Sequence, residues 1–400
     1  MRDVVVVGSG ISGLFSAYWC VKNSLSVAVV SKTQKPETNG LNTLNLFLGA
    51  HKSLFDEVLK FAKGDGFVGF KNLADKAFLS WLLKFGVNQT KSSKKLEILT
   101  RRYGLKSYEI YQNLASEIGD FEFENRGEAL LFFDDKKYKF MLENIKFHDE
   151  NFEILDAHDQ NAFGFVKNGV KGALNLKKNA RLDAQKLYEN LKAFLERSGV
   201  AFINDEIVDY EISGDKAKAA IGRLGRYEAS SFIQASGDDK FLAKKLGVNL
   251  DLINAKIYEV SFEASEDITP KMPLMVDDFG MSIDAKNGLI NIVTKPQINA
   301  KDEMVDIKEI NENLAKLKPY ASFFELKNPT FKAKNLAFTP NSLPIFGRDE
   351  SYKNLLYISG FGLNESLFAP CVSKILTDMI VRGVSNENSD DVLLFSGLIS

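Results

Sequence analysis

The chain has 400 residues, 45% of them hydrophobic, enough to bury a large core in two domains or one elaborate one. Its 51 basic and 53 acidic side chains give a formal charge of −2, which offers no global attraction to nucleic acid. Two cysteines, Cys20 and Cys371, exclude a disulfide framework and fit a reducing compartment.

The opening apolar run is four valines that meet glycines, which does not read as a signal peptide. No uncharged apolar stretch reaches the roughly eighteen residues of a membrane span, so the expected compartment is the cytoplasm. Residues 4–7 have the β-branched composition of a buried parallel strand. Ile11, Leu14, Phe15, Tyr18 and Val21 recur at helical spacing, and residues 26–30 form a second buried strand. Together they predict a strand–helix–strand unit with a right-handed crossover.

Residues 36–50, rich in Asn, Thr and Gly, read as a long loop. Amphipathic helices are expected over 54–63 and 73–86, and another over 108–118. Between 91 and 106 six basic residues accompany one acid, Glu97, which reads as a solvated helix face. Strands are expected over 127–133 and 172–176, and a helix over 182–198 closed by Gly199. Residues 200–204 and 206–212 look like strand pairs, and 231–235 is a buried strand ending at Ser236-Gly237. The alternation over 257–263 and 288–294 predicts half-exposed antiparallel strands. Pro340 and Pro344 bracket a turn, 355–358 is the last strand and 363–382 the final helix. An acidic stretch, 386–391, precedes an apolar one, 392–399; docking on the body is the expectation, and a peripheral membrane contact the alternative.

Parallel-sheet pieces thus occur at the start, middle and end. The expected class is α/β, a Rossmann-type nucleotide-binding domain with an interleaved α+β substrate domain built on an antiparallel sheet. We assign 1–80, 151–245 and 335–400 to the first domain, and 81–150 and 246–334 to the second.

Gly8-Ser9-Gly10-Ile11-Ser12-Gly13 fits G-x-G-x-x-G between a strand and a helix. Gly8 serves the tight turn, Gly10 lets backbone approach a pyrophosphate, and Gly13 lets helix and strand pack closely. Ile11 and Ser12 open the helix whose N-terminus would face the phosphates. The acid expected at the end of the second strand is replaced by Ser31 and Lys32, a pair that would also suit the 2′-phosphate of NADP. Two features favour FAD. The chain leaves the sheet after the second strand, and it returns at its far end with a second strand and glycine turn, Gly360-Phe361-Gly362. FAD is long enough to use both helix N-termini.

With these motifs the chain resembles the D-amino-acid oxidase family of flavoproteins, and most its bacterial D-amino-acid dehydrogenase branch. GSGISG resembles the family's first motif. Residues 339–347, TPNSLPIFG, resemble its T-P-D-x-x-P-x-x-G stretch; Asn354-Leu355 through Gly362 resemble N-L-x-x-x-x-G-H-G; and Lys256-Ile257-Tyr258 resembles K-G-Y. Ala235, Ser236 and Gly237 fall where the family has a small-residue strand end beside the adenosine diphosphate. Gly347, Val208, Phe361 and Leu363 complete the implied cofactor contacts. Three positions depart from the family: Leu336 stands for its arginine, Phe361 for the histidine of G-H-G, and Asn341 for the aspartate.

The resemblance implies oxidation of a C–N bond by hydride transfer from a substrate α-carbon to flavin N5, the imine then hydrolysing to a keto acid and ammonia. Electrons would pass to oxygen or a quinone. Tyr258, Asn42 and Asn45 are the implied substrate-positioning residues, with Arg348 a second anion partner. Gly360 and Gly362 would offer backbone N–H groups to the flavin pyrimidine oxygens. Leu336, a neutral side chain, cannot clamp a carboxylate, so an altered substrate, a modified RNA base among them, or lost catalysis stays open. His51, His148 and His158 lack metal-ligand spacing, and no metal is expected.

Overall fold

Valine is stiff at χ1 and packs well on a pleated surface, so a run of four with both faces apolar belongs in the middle of a covered sheet. In the computed structural model, which describes residues 1–33, 41–44, 46, 68–90, 94–145, 151–237, 239–387 and 389–395, that is where it lies. Strand β1 (Arg2–Val7) runs parallel to β2 (Val27–Ser31) on one side and to Arg226–Gln234 on the other. Helix α1 (Ile11–Lys22) makes the crossover between β1 and β2. Ala201–Asn204 extends the sheet beyond β2, and Leu355–Ser359 pairs parallel with the C-terminal half of Arg226–Gln234. The N-terminal half of that same strand instead pairs antiparallel with Lys216–Gly222, itself paired with Ile207–Ser213. Residues 200–204 and 206–212 are therefore not partners of each other: they occupy opposite edges of one eight-stranded sheet.

One face of this sheet is covered by α1, Ala184–Arg197, Lys94–Ile118 and Glu365–Arg382. The last of these lies along α1 through small residues. Ser16 Oγ meets Ser373 Oγ at 3.3 Å, Ser373 Oγ donates to Ser12 O at 3.2 Å, and Cys20 Sγ lies 3.8 Å from Thr377 Oγ1. Short side chains four residues apart let the two axes approach closely, which sets the two helix N-termini side by side. Pro370 lies inside the second helix and has no N–H to give the carbonyl of Ser366. The buried hydroxyl of Tyr111 donates to that carbonyl instead, at 2.6 Å.

The second sheet has ten strands, centred on Ile253–Glu263, which pairs antiparallel with Leu289–Val293 and Lys327–Phe338. It is mixed rather than purely antiparallel: Leu274–Val276 runs parallel to Ala129–Phe132, and Gln297–Ile298 parallel to Gly69–Phe70. The strand expected over 257–263 is covered on both faces, with all of Ala255–Val260 buried, whereas 288–294 alternates as expected, Ile290 and Ile292 buried and Leu289 exposed. Tyr258, Val260 and Phe262 pack beneath Ile307–Leu317, while the opposite face carries Phe338, against which the second glycine turn closes.

Several segments cross the sequence-drawn boundaries. Gly69–Phe70 and Gly172–Leu176 belong to the second sheet, while Lys94–Ile118 packs on the first. Within the expected loop 36–50, Leu41–Leu44 is a strand paired with Ala180–Asp183, and Tyr108 Oη pins the two by donating to Leu44 O at 2.6 Å and accepting from Ala180 N at 3.1 Å. Asp183 also caps Ala184–Arg197, accepting from the N–H groups of Gln185 and Lys186. The expected helix 54–63 lies outside the described residues. Glu365–Arg382 is not the final helix, because Ser389–Phe395 follows and buries Val392 in the core. The acidic tail meets the basic stretch: Asp391 pairs with Arg102 at 2.9 Å and Glu387 with Lys106 at 2.5 Å. No helix of the described residues is long and apolar enough to cross a membrane.

Candidate cofactor and substrate site

The first glycine loop is shaped by what a side chain would strike. Gly8 has φ +113°, and a Cβ there would lie 2.1 Å from Ala235 O and 2.8 Å from Ser236 Cα. At Gly13 it would lie 2.2 Å from Gly8 O. Gly8 N donates to Val30 O and Ala235 N to Val7 O, both at 2.8 Å, so three strand ends are tied together beneath the loop. Ser236 Oγ accepts from Gln234 Nε2 at 2.7 Å, and Gly237 turns the chain away with φ +75°. Gly10 is the N-cap of α1 with extended backbone, leaving the first turn's N–H groups without a side-chain cap from that position. Such a helix N-terminus, with its positive dipole end, holds anions.

An anionic side chain of the protein marks the spot. Glu365 Oε1 accepts from Ser12 N at 3.0 Å and from Ser12 Oγ at 2.8 Å. Glu365 also stands in the first turn of its own helix. Two helix N-termini, from opposite ends of the sequence, thus converge on one carboxylate. The loops at 8–13 and 360–362 lie within reach of one elongated ligand.

The second glycine turn folds back on the strand before it. Gly360 has φ +72°, and a Cβ there would meet Thr339 Cγ2 at 2.6 Å; at Gly362, φ +55°, it would meet the Phe338 ring at 2.9 Å. Phe361 is buried and bridges to Phe338, whereas Leu363 is exposed. Gly347 faces Tyr357 in the antiparallel pair of Ile345–Arg348 with Leu355–Ser359. Arg348 is taken up by the fold: Nη2 donates to Met379 O at 2.6 Å, near the end of the last long helix.

The remaining expected residues scatter. Ser31 ends β2 as predicted and Lys32 is exposed just past it, where its charge helps hold the Glu206 carboxyl below its usual range, after the larger effect of Arg223. Val208 lies at a bulge in Ile207–Ser213, its carbonyl accepting from Lys245 Nζ at 2.8 Å; that contact does not bring it to the glycine loops. Asn42 stands opposite Leu182, and Asn45 lies outside the described residues. Tyr258 requires a correction. It sits on the face beneath Ile307–Leu317, fully buried, and its hydroxyl donates to Glu309 Oε2 at 2.6 Å. Glu309 is also held by Lys71 at 2.7 Å. Strand alternation turns Tyr258 away from the face that carries Phe338.

That opposite face is where sequence reasoning missed residues. The register pairs Ile253 with Phe338, Ala255 with Leu336 and Ile257 with Lys334, so Phe338, Leu336, Lys334 and Glu259 share one face. Lys334 Nζ meets Glu259 Oε1 at 2.6 Å, both side chains largely buried, and Glu259 Oε2 is buried with no hydrogen-bond partner. Farther along this face Asp284 pairs with Arg181 at 3.2 Å. Burial pushes the Asp284 carboxyl up to about 6, with Arg181 pulling the other way. Glu128, fully buried, is pushed up to about 7 by burial; the hydrogen bond from Asn179 Nδ2, at 2.8 Å, opposes this. Nothing in the local sequence marks these residues, because an ordinary strand lysine or glutamate reads as solvent-facing.

The glycine cradle fits a dinucleotide's pyrophosphate, and its junction with a second glycine turn defines a flavoprotein oxidoreductase site. The comparisons agree. The model of the FAD dependent oxidoreductase family (DAO) matches residues 3–379, and the chain belongs to that family. It is an FAD-dependent oxidoreductase, and the NADP alternative is set aside. The D-amino acid dehydrogenase of Helicobacter pylori is 26% identical over 407 residues, covering 99% of this chain and 98% of the relative. Among solved structures, glycine oxidase from Geobacillus kaustophilus superposes with a TM-score of 0.77 at 16% identity, covering 100% and 98% of the two chains. L-amino acid deaminase from Proteus vulgaris gives 0.74 at 14% identity, covering 99% and 96%. At these identities the two structures bear on the fold alone.

Proposed function

We propose that this chain oxidises the C–N bond of a zwitterionic amino acid or a related amine, in the manner of a D-amino acid dehydrogenase. The reading rests on the Lys334–Glu259 pair, a partly buried cation and a buried anion on the sheet face shared with Leu336 and Phe338. Leu336 brings no charge to a substrate carboxylate; Lys334, two residues earlier on the same face, does. Glu259 Oε2, which lacks a donor, would accept from the substrate ammonium. Bound FAD supplies the acceptor for a hydride from the substrate α-carbon at its N5. The chain's own task is to orient the substrate and exclude water, for which the apolar Phe338, Phe361 and Leu336 are suited. Gly360 and Gly362 would aim N–H groups at the flavin's pyrimidine edge. Asn42, on the strand Leu41–Leu44, and Asn45 stay in the proposal as substrate contacts, and Tyr258 leaves it. A quinone or oxygen would take the electrons, with contact at the inner face of a membrane in the quinone case.

The test is an anaerobic flavin-bleaching screen with D- and L-amino acids and N-methyl amines, repeated on Lys334→Met. We expect a D-amino acid to bleach the flavin, and Lys334→Met to raise its KM about 10- to 100-fold, the loss of one charge-assisted contact. No bleaching by any amino acid or amine would refute the reading, and bleaching only by amines without a carboxylate would refute the part given to Lys334.

A further inference from the structure

Glu365 lies outside every glycine motif, three positions past Gly362, yet its side chain joins the two ends of the site. Ser12 N belongs to the first turn of α1, one of the donors that helix leaves for an anion. Glu365 Oε1 takes that N–H and the Ser12 hydroxyl. The same oxygen lies 3.5 Å from the point a Cβ on Gly10 would occupy, so it stands in the space that the second glycine of the motif opens for a pyrophosphate. Its charge is favoured by the positive ends of two helices, α1 and Glu365–Arg382. Two anions repel and cannot share these donors.

We propose that Glu365 is an internal competitor for FAD: its carboxylate holds the donors of Ser12, and the cofactor's pyrophosphate gains them only when Glu365 turns aside. The carboxylate therefore stabilises the flavin-free chain and loosens its hold on FAD. Glu365→Gln keeps the size of the side chain and an oxygen that can accept from Ser12, and removes the charge. Glu365→Ala clears the space.

The experiment titrates the full chain, stripped of flavin, with FAD. Quenching of flavin fluorescence reports binding, and thermal unfolding is followed with and without FAD. We expect the Kd for FAD to fall about tenfold in Glu365→Gln and at least as far in Glu365→Ala. Without FAD both variants should melt below the parent, and the FAD-induced rise in Tm should be larger in both. Ser12→Ala, which removes one donor that fixes Glu365, should shrink the difference between parent and Glu365→Gln. Equal FAD affinity in parent and variants overturns the proposal, even if the variants melt lower, because that is the mark of a merely structural contact. Failure of both Glu365 variants to bind FAD overturns it too, since removing the carboxylate then opens nothing. Binding is read without turnover, so neither result touches the substrate reading above.

Discussion

The glycine loop at residues 8–13 and the strand around Tyr258 both looked like site-builders, and they fared differently. In the loop the requirement is local. The backbone at Gly8 must adopt φ +113°, so the residue type itself carries the geometry. At Tyr258 the requirement is relational. A strand tyrosine serves a site only if its face of the sheet turns toward it, and the pairing of Ile253–Glu263 with Lys327–Phe338 turns Tyr258 the other way, under Ile307–Leu317. Motifs that constrain backbone survive the step from sequence to structure better than motifs that rely on which way a side chain points.

The sharpest way to break this comparison is at Gly8. Gly8→Ala should cost about 2–4 kcal/mol and abolish flavin retention, read as the urea midpoint and the visible flavin bands of the purified protein. A variant that stays yellow and stable would mean the loop tolerates a side chain after all.

The buried acid Glu128 comes next. Its folded-state value is raised to about 7 from an ordinary 4.5, so between those values the native state binds more protons than the unfolded one. Stability from this group is full below pH 4.5 and lost as pH rises through 7. Glu128→Gln should therefore gain on the order of 2–3 kcal/mol over the parent at pH 8 and little at pH 4, measured by denaturant unfolding across that range. A parallel shift at both pH values would contradict the assignment.

Tyr111→Phe should cost about 1–3 kcal/mol, because it strands the Ser366 carbonyl that Pro370 cannot serve. The double variant with Pro370→Ala, which restores an N–H, should recover part of that loss. The smallest effect is expected at the other pole of the comparison. Tyr258→Phe should cost about 1 kcal/mol through Glu309 and leave KM for any substrate within about twofold. A large rise in KM with unchanged stability would return Tyr258 to the substrate site.

The strand–helix–strand opening, the second glycine turn and the docking of the apolar tail, seen over its described part to Phe395, were legible because composition and glycine placement encode them locally. Leu41–Leu44 was missed as a strand because its pairing partner, Ala180–Asp183, lies far along the chain, and no periodicity in an Asn- and Thr-rich stretch announces it. Segments that pair across the sequence-drawn boundaries do so for the same reason. Gly172–Leu176 reads as an ordinary strand, and only its pairing with Ala129–Phe132 assigns it to the second sheet.

By itself the sequence determined the glycine-loop strand–helix–strand unit, the second glycine turn and the class of chemistry, since each rests on backbone that only certain residues permit. Tertiary structure alone decided that Glu365 reaches Ser12 and that Lys334 and Glu259 share a face with Leu336. Those contacts join residues separated by dozens to hundreds of positions. Their energies depend on register, helix packing and burial, quantities that no local stretch of sequence contains.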